Sequence, residues 1–306
     1  MIREKAHKTK RKIIKCFQKR FSVDYEQTCI LPDKMYIKRK YKKRMGKEVN
    51  LKKPVTYSEK IQWLKLYDRR PEYTIMADKY LAKDYVANII GQEYIIPTLG
   101  VWERVEDIDF ESLPNRFVLK TTHDSGGVVI CKDKQSFDVD KAKEKLKKSL
   151  QCNYYLHSRE WVYKNIKPRV IAEVLLEDKI KNDLIDYKFY CFDGIAKAMY
   201  IAQGRPNNTR FDYYDIYFNH LPLKYGYDNS EYPIEKPAEY ERMIEIAEVL
   251  SKGIPHVRVD LFDVEGHIYF GEMTFADGSG MTPFEPDEWD RIFGEWLTLP
   301  KKKRRR

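Results

Sequence analysis

Nowhere in these 306 residues do 18 apolar residues follow one another, so no segment has the length to cross a bilayer as a helix. The first 20 residues are basic and lack an apolar stretch, and no secretory leader is expected. Cysteine is scarce: Cys16, Cys29, Cys131, Cys152 and Cys191 are odd in number, far apart and without a C-x-x-C pair. That excludes a disulfide framework and a zinc ribbon, and fits reduced thiols and a cytoplasmic protein. Two nucleotide fingerprints are also missing. There is no G-x-x-x-x-G-K-[ST] and no G-x-G-x-x-G after a strand, so neither a P-loop enzyme nor a dinucleotide-binding Rossmann domain is supported. No internal repeat occurs, and His157, His220, His256 and His267 share no ligand spacing.

What is present is charge, unevenly placed. Residues 1–70 hold 23 Lys/Arg against 7 Asp/Glu, and Lys301 to Arg306 add six more cations. Residues 71–300 therefore carry 28 against 40 and are acidic, although the whole chain is +10. A basic arm on an acidic body points to contact with an anionic surface through residues 1–50, a membrane's inner face or an acidic polymer, and argues against nucleic acid as the ligand of the body. With 23 Tyr, 14 Phe and 5 Trp there is bulk for more than one core.

Local patterns give the elements. Ile13, Ile14, Phe17 and Phe21 recur at helical spacing in the basic arm. Thr56 and Glu59 have the spacing of a capping box ahead of Ile61, Trp63, Leu64 and Tyr67. Asp78 can cap a helix that runs to Ile90 and stops at Gly91. Residues 116–121 and 128–131 read as strands joined by the polar, glycine-rich flap His123-Asp124-Ser125-Gly126-Gly127, and residues 170–176 as a buried strand. Asp193-Gly194 is a hairpin turn between two further strands. A helix opened by Pro237 turns Met243, Ile244, Ala247 and Leu250 inward. The run Lys301 to Arg306 reads as a disordered tail.

The chemistry concentrates where charge interrupts apolar strands. Val257-Arg258-Val259-Asp260-Leu261 and Phe270-Gly271-Glu272-Met273 put two carboxylates where an ionised group needs a cation, and a divalent ion supplies one. A three-residue loop, Val264-Glu265-Gly266, sets Arg258 opposite Glu272, with Asp260 one diagonal step away on the same face; a two-residue loop breaks this. An edge hairpin with Arg258 salt-bridged to either acid is the plain alternative. Lys120 ends a strand at the glycine flap, Glu173 lies in an Ile/Leu strand, and Lys188 either pairs with Glu173 or meets an anion. Lysines, a glycine flap and two carboxylates together describe a nucleoside triphosphate with its Mg²⁺.

In this order, Ala77-Asp78-Lys79, Phe117-Val118-Leu119-Lys120 with the flap, Ile171-Ala172-Glu173, Arg258-Val259-Asp260 and Gly271-Glu272-Met273-Thr274 resemble the ATP-grasp ligases, and more narrowly their TupA-like branch. The resemblance runs from about Tyr57 to Leu297 and includes Arg159-Glu160-Trp161. It implies an α/β fold of two lobes, 71–176 and 177–300, with ATP between them; the basic helical region 1–70 is read from its own pattern, and its first 50 residues lie outside the resemblance. It implies that Lys79 and Lys120 grip phosphates under Ser125, Gly126 and Gly127. On the same resemblance Glu173 begins the strand that reads adenine and Glu177 takes the ribose, while Lys188 stays open between a phosphate or substrate contact and the pair with Glu173. Asp260 and Glu272 bind Mg²⁺, and Arg258, with Lys120, stabilises charge on an acyl phosphate or tetrahedral intermediate. Thr274 stands where such enzymes commonly carry Asn. The implied reaction joins a carboxylate to an amine at the cost of ATP, with a uronic acid of a bacterial surface polysaccharide or its precursor as acceptor and an amino acid as amine donor. Two rivals are a glycosyltransferase using Asp107-Ile108-Asp109 as a metal motif, and a non-catalytic binder of anionic polymers through the basic arm. His123 beside the flap and Glu160-Trp161 are further candidates for phosphate and acceptor contacts.

Overall fold

The computed structural model describes residues 31–180, 183–204, 208–231 and 234–301; the expected amphipathic helix around Ile13 to Phe21 and the end of the basic tail lie outside them. Its helices are α1 (Asp33–Met45), α2 (Tyr57–Tyr67), α3 (Glu72–Ala77), α4 (Leu81–Ile90), α5 (Val139–Leu150), α6 (Tyr155–Ser158), α7 (Tyr240–Ser251) and α8 (Glu288–Trp296). A four-stranded antiparallel sheet has the order β1-β4-β2-β3, from β1 (Thr98–Trp102), β2 (Phe117–Thr121), β3 (Val128–Cys131) and β4 (Val170–Val174). A five-stranded antiparallel sheet has the order β10-β9-β5-β6-β7, from β5 (Asp186–Phe192), β6 (Ile195–Gln203), β7 (Arg210–Asp215), β9 (Val257–Val264) and β10 (His267–Thr274). A short ribbon pairs β8 (Lys224–Tyr225) with β11 (Phe284–Glu285).

Alternation along each strand decides what the sheets cover. On the small sheet Phe117, Leu119, Val170 and Ala172 face a core closed by Leu146 of α5, which leaves Val118, Lys120 and Glu173 on the other face. On the large sheet Phe189, Val259, Leu261 and Met273 pack under α7, α3 and α4. Residues 71–95, grouped with the smaller lobe by sequence, supply Tyr73, Met76, Ala82, Val86 and Ile95 to this core. The opposite face carries Tyr190, Phe192 and Tyr200 under α1, α2 and α8. Those helices cover only part of it, and the strand ends carrying Asp186, Lys188, Asp260 and Glu272 turn to the small sheet instead.

Helix α2 starts as expected: Thr56 Oγ1 accepts from the Glu59 amide and Glu59 returns the bond to the Thr56 amide. Asp78 holds the first turn of α4 by accepting from the amides of Tyr80 and Leu81 at 2.9 and 3.4 Å. Asp193 and Gly194 both take positive φ, 50° and 84°, the geometry of a tight β5–β6 turn. Three expectations are corrected. Strand β4 ends at Val174, because Leu175 and Leu176 leave the sheet to line the cleft. On α7 it is Ile246, not Ile244, that joins Met243, Ala247 and Leu250 in the core, with Ile244 at its margin.

The third correction concerns the hairpin β9–β10. Its loop is the two-residue Glu265-Gly266, with φ of 53° and 84°, so His267 pairs with Val264 and Phe270 with Leu261. Carried on unchanged, that register sends Asp260 and Glu272 to opposite faces. A β-bulge at Gly271 adds one residue to β10 and restores the parity: Glu272 lies directly opposite Asp260, and Thr274 opposite Arg258. Glycine suits the close approach there, since a Cβ would stand 3.0 Å from the Asp260 carbonyl oxygen and 3.1 Å from the Phe262 ring.

Candidate active site between the two sheets

The exposed face of the small sheet and the polar end of the large one enclose a cleft of about 250 Å³. Lys79, Lys120 and Ser125 approach from one side, and Lys188, Asp260 and Glu272 from the other. It opens into a larger hollow of about 1150 Å³ that shares Lys120, Gly126, Glu173 and Phe262 and adds apolar walls from Ile96, Val118, Leu175 and Leu176. A polar end joined to an apolar end is the lining that a molecule with a charged tail and a flat apolar ring requires.

Glu173 sits at the junction, 4% exposed. Its Oε1 is 2.6 Å from the Lys83 ammonium and its Oε2 2.5 Å from that of Lys120, the second an ion contact without hydrogen-bond alignment. Burial pulls the Glu173 carboxyl up, but Lys120 and Lys83 outweigh it and hold it below the usual range. The Glu173–Lys188 pair, one of the two readings of Lys188, is not formed. Lys188 pairs with Asp186 at 2.7 Å and with Asp260. Lys79, on the connection from α3 to α4, donates from Nζ to the Asp124 carbonyl at 2.5 Å and ties the flap down.

The two acids differ. Asp260, 1% exposed, is clamped by Arg258, with Nε to Oδ1 at 2.6 Å and Nη2 to Oδ2 at 2.7 Å. Glu272 has a side chain 40% exposed to the cleft. Its Oε1 accepts from the Thr274 hydroxyl at 3.1 Å and from Arg258 Nη2 at 3.3 Å. Burial raises the Glu272 carboxyl, yet Lys79, Lys188 and Arg258 together hold it at about 2. Arg258 has no N–H left over. Nη1 donates to Tyr200 at 3.0 Å and to Asp277, and Nη2 also reaches Thr274 at 3.0 Å.

Among the described residues no three His, Cys, Asp or Glu side chains gather as a metal cage. Two adjacent carboxylates in a lysine-lined cleft instead fit Mg²⁺, which takes one or two carboxylates and fills its remaining positions with phosphate oxygens and water. Asp260 and Glu272 would be those donors. Thr274 serves Glu272 and Arg258 through its hydroxyl.

Some expected residues are elsewhere. The Cα of Gly127 faces Thr121 and Ser149, where a Cβ would meet Thr121 Oγ1 at 1.8 Å, so it shapes the flap from behind. Glu177 is paired with Arg116 and does not line the cleft. His123 turns its Nε2 to the Cys152 carbonyl at 3.1 Å. Glu160 and Trp161 line a separate cavity of about 30 Å³, room for a water or two, beside Lys65, whose ammonium burial pulls down to about 7. Asp107 and Asp109 lie in a surface turn whose apolar members pack on the small sheet, Asp109 capping the amides of Glu111 and Ser112 at 3.0 and 3.3 Å.

Sequence reasoning missed Lys83, Asp186 and Asp277. Lys83 lies four residues after Lys79 and Asp186 two before Lys188, so helix and strand periods respectively carried a signal. Asp277 sits in a turn with Gly278, Ser279 and Gly280 all at positive φ, a long-range placement with no local trace.

No curated protein matches this chain in sequence. Among solved structures it is similar to the D-alanine–D-alanine ligase from Bacillus anthracis complexed with ATP, at 20% identity and a TM-score of 0.37, over 66% of this chain and 54% of that one. The D-alanine–D-alanine ligase from Helicobacter pylori is similar at 15% identity and 0.39, over 79% and 69%. The ATP-grasp ligase PsnB, complexed with minimal precursor, Mg and ADP, is similar at 13% and 0.36, over 71% and 57%. The chain thus spans little more than half the length of the first and third. The family description "TupA-like ATPgrasp" matches residues 59–298, and with this mixed α/β chain so largely covered, the protein belongs to the TupA-like ATP-grasp family.

Proposed function

We propose that this chain is an ATP- and Mg²⁺-dependent carboxylate–amine ligase, working through an acyl phosphate on an acidic sugar of a bacterial surface polysaccharide or its precursor. The observation that carries the reading is the meeting of Lys79, Lys120 and Lys188 with Glu272 in one cleft that continues into an apolar hollow. Family membership and the Mg and ADP named with PsnB support it. Mg²⁺, when bound, neutralises charge between the transferring phosphates.

The side chains do the rest by charge and position. Lys120 exchanges its unaligned contact with Glu173 for a phosphate oxygen, and Lys83 keeps Glu173 neutralised meanwhile. Lys79 anchors the flap with one N–H and has others for the phosphates. A substrate carboxylate oxygen attacks the terminal phosphorus and ADP leaves; an amine then attacks the acyl carbon, inorganic phosphate leaves, and the nitrogen gives up a proton. Arg258, fully engaged with protein acceptors, serves by fixing Asp260 and Glu272 rather than by touching the substrate. The test is phosphate release from MgATP over a matrix of uronic acids and amino acids. Release that needs one of each is the expected result; release with neither, or protection by a sugar nucleotide in place of ATP, defeats the proposal.

A further inference from the structure

A second basic hollow, of about 430 Å³, lies away from the cleft where α1, α2 and the loop between them meet. Lys34 and Lys38 enter it from successive turns of α1, Lys52 from the loop, and Trp63 and Tyr67 from successive turns of α2. Like charges at this helical spacing repel. Among the described residues none of the three lysines has an ion-pair partner; Glu48, whose charge Lys38 feels, is taken by Lys42 at 2.7 Å. The loop is held in place for this. Asn50 donates its amide N–H to Glu59 at 2.9 Å and accepts on Oδ1 from the amides of Lys52 and Lys53 at 3.2 and 3.0 Å. Among the described residues its side-chain NH₂ has no acceptor.

We propose that this hollow binds an anionic saccharide, with carboxylates on the three lysines, hydroxyls on the Asn50 amide and sugar C–H groups against the Trp63 edge. A flat membrane surface does not enter a concavity. Nucleic-acid bases stack on open ring faces, whereas Trp63 is 8% exposed and set edge-on to Tyr67 at 5.1 Å and 61°. Nor does the preceding stretch of chain complement the site, since residues 1–30 hold 9 Lys/Arg against 3 Asp/Glu.

This site is independent of the ligase reading and is tested without turnover. Calorimetry on the full chain compares an oligogalacturonate, a neutral oligosaccharide of equal length, single-stranded RNA and anionic vesicles, using wild type and the triple variant K34E/K38E/K52E. Expected are binding of the oligogalacturonate only, at least a tenfold weakening in the triple variant, and unchanged protection by MgATP in both. The proposal is overturned if the oligogalacturonate does not bind, if the triple variant binds it equally, or if RNA or vesicles bind more tightly through the same lysines.

Discussion

Replacing Lys120 by Met separates what that lysine does for the fold from what it does for a nucleotide. In wild type Glu173 is 4% exposed, with one oxygen on Lys83 at 2.6 Å and the other on Lys120 at 2.5 Å. Removing Lys120 leaves one oxygen of a buried carboxylate without a partner, while Lys83 still matches its charge. An unsatisfied buried oxygen costs about 1–3 kcal/mol, and the retained Lys83 keeps the loss within that range rather than that of a fully abandoned buried charge. K120M should therefore lower unfolding free energy by about 1–3 kcal/mol in urea titrations. It should also weaken MgATP binding by about 10- to 100-fold, from the lost charge-assisted contact of roughly 1.5–3 kcal/mol. Adding Glu173→Gln takes the carboxylate from the buried Lys83 ammonium, so the double variant should be less stable than K120M and should regain no affinity. Two results refute the reasoning: K120M as stable as wild type, or a double variant that binds MgATP as wild type does.

Neutralising the two acids should have unequal effects. E272Q should abolish ATP turnover and leave the melting temperature near wild type, whereas D260N takes from Arg258 and Lys188 the buried carboxylate they share, leaving them Asp277 and Asp186, and should cost about 3–5 kcal/mol as well as activity, read by calorimetry and phosphate release. Replacing Gly271 by Ala brings a Cβ to 3.0 Å from a backbone oxygen. It should displace the bulge and reduce turnover far more than it reduces helical content by circular dichroism. His256 bonds Tyr57 and the Cys191 carbonyl, each at 3.0 Å, and burial holds its imidazole at about 4 against an ordinary 6.5. Between those values the unfolded chain binds the proton and the native one does not, so stability is full above about 6.5 and falls by roughly 3 kcal/mol as pH drops to about 4. His256→Gln should flatten that slope in melts run from pH 7 to pH 4.

Local rules made most elements visible. The Thr56–Glu59 box and the Asp193-Gly194 turn each rest on bonds within a few residues, and both formed as read. The acids were recognised because a carboxylate between apolar strand residues has few explanations. Their relative placement was reached through the wrong loop, since nothing local separates a two-residue turn followed by a bulge from a three-residue turn without one. Lys83 was hidden for the opposite reason: on a helix an isolated lysine looks solvated, and only β4, some 90 residues later, supplies its carboxylate. Arg258 could be read as charged and buried, but the five acceptors that exhaust it come from β6, β9, β10 and the Asp277 turn.

The Lys83–Glu173 pair joins α4, which packs on the large sheet, to β4 of the small one. A bond that spans the two halves at the back of the opening sets the gap before any guest arrives, so little ordering entropy remains to be lost when one does. On the proposed function, a guest that forces the two sheets apart must first break this interior ion pair.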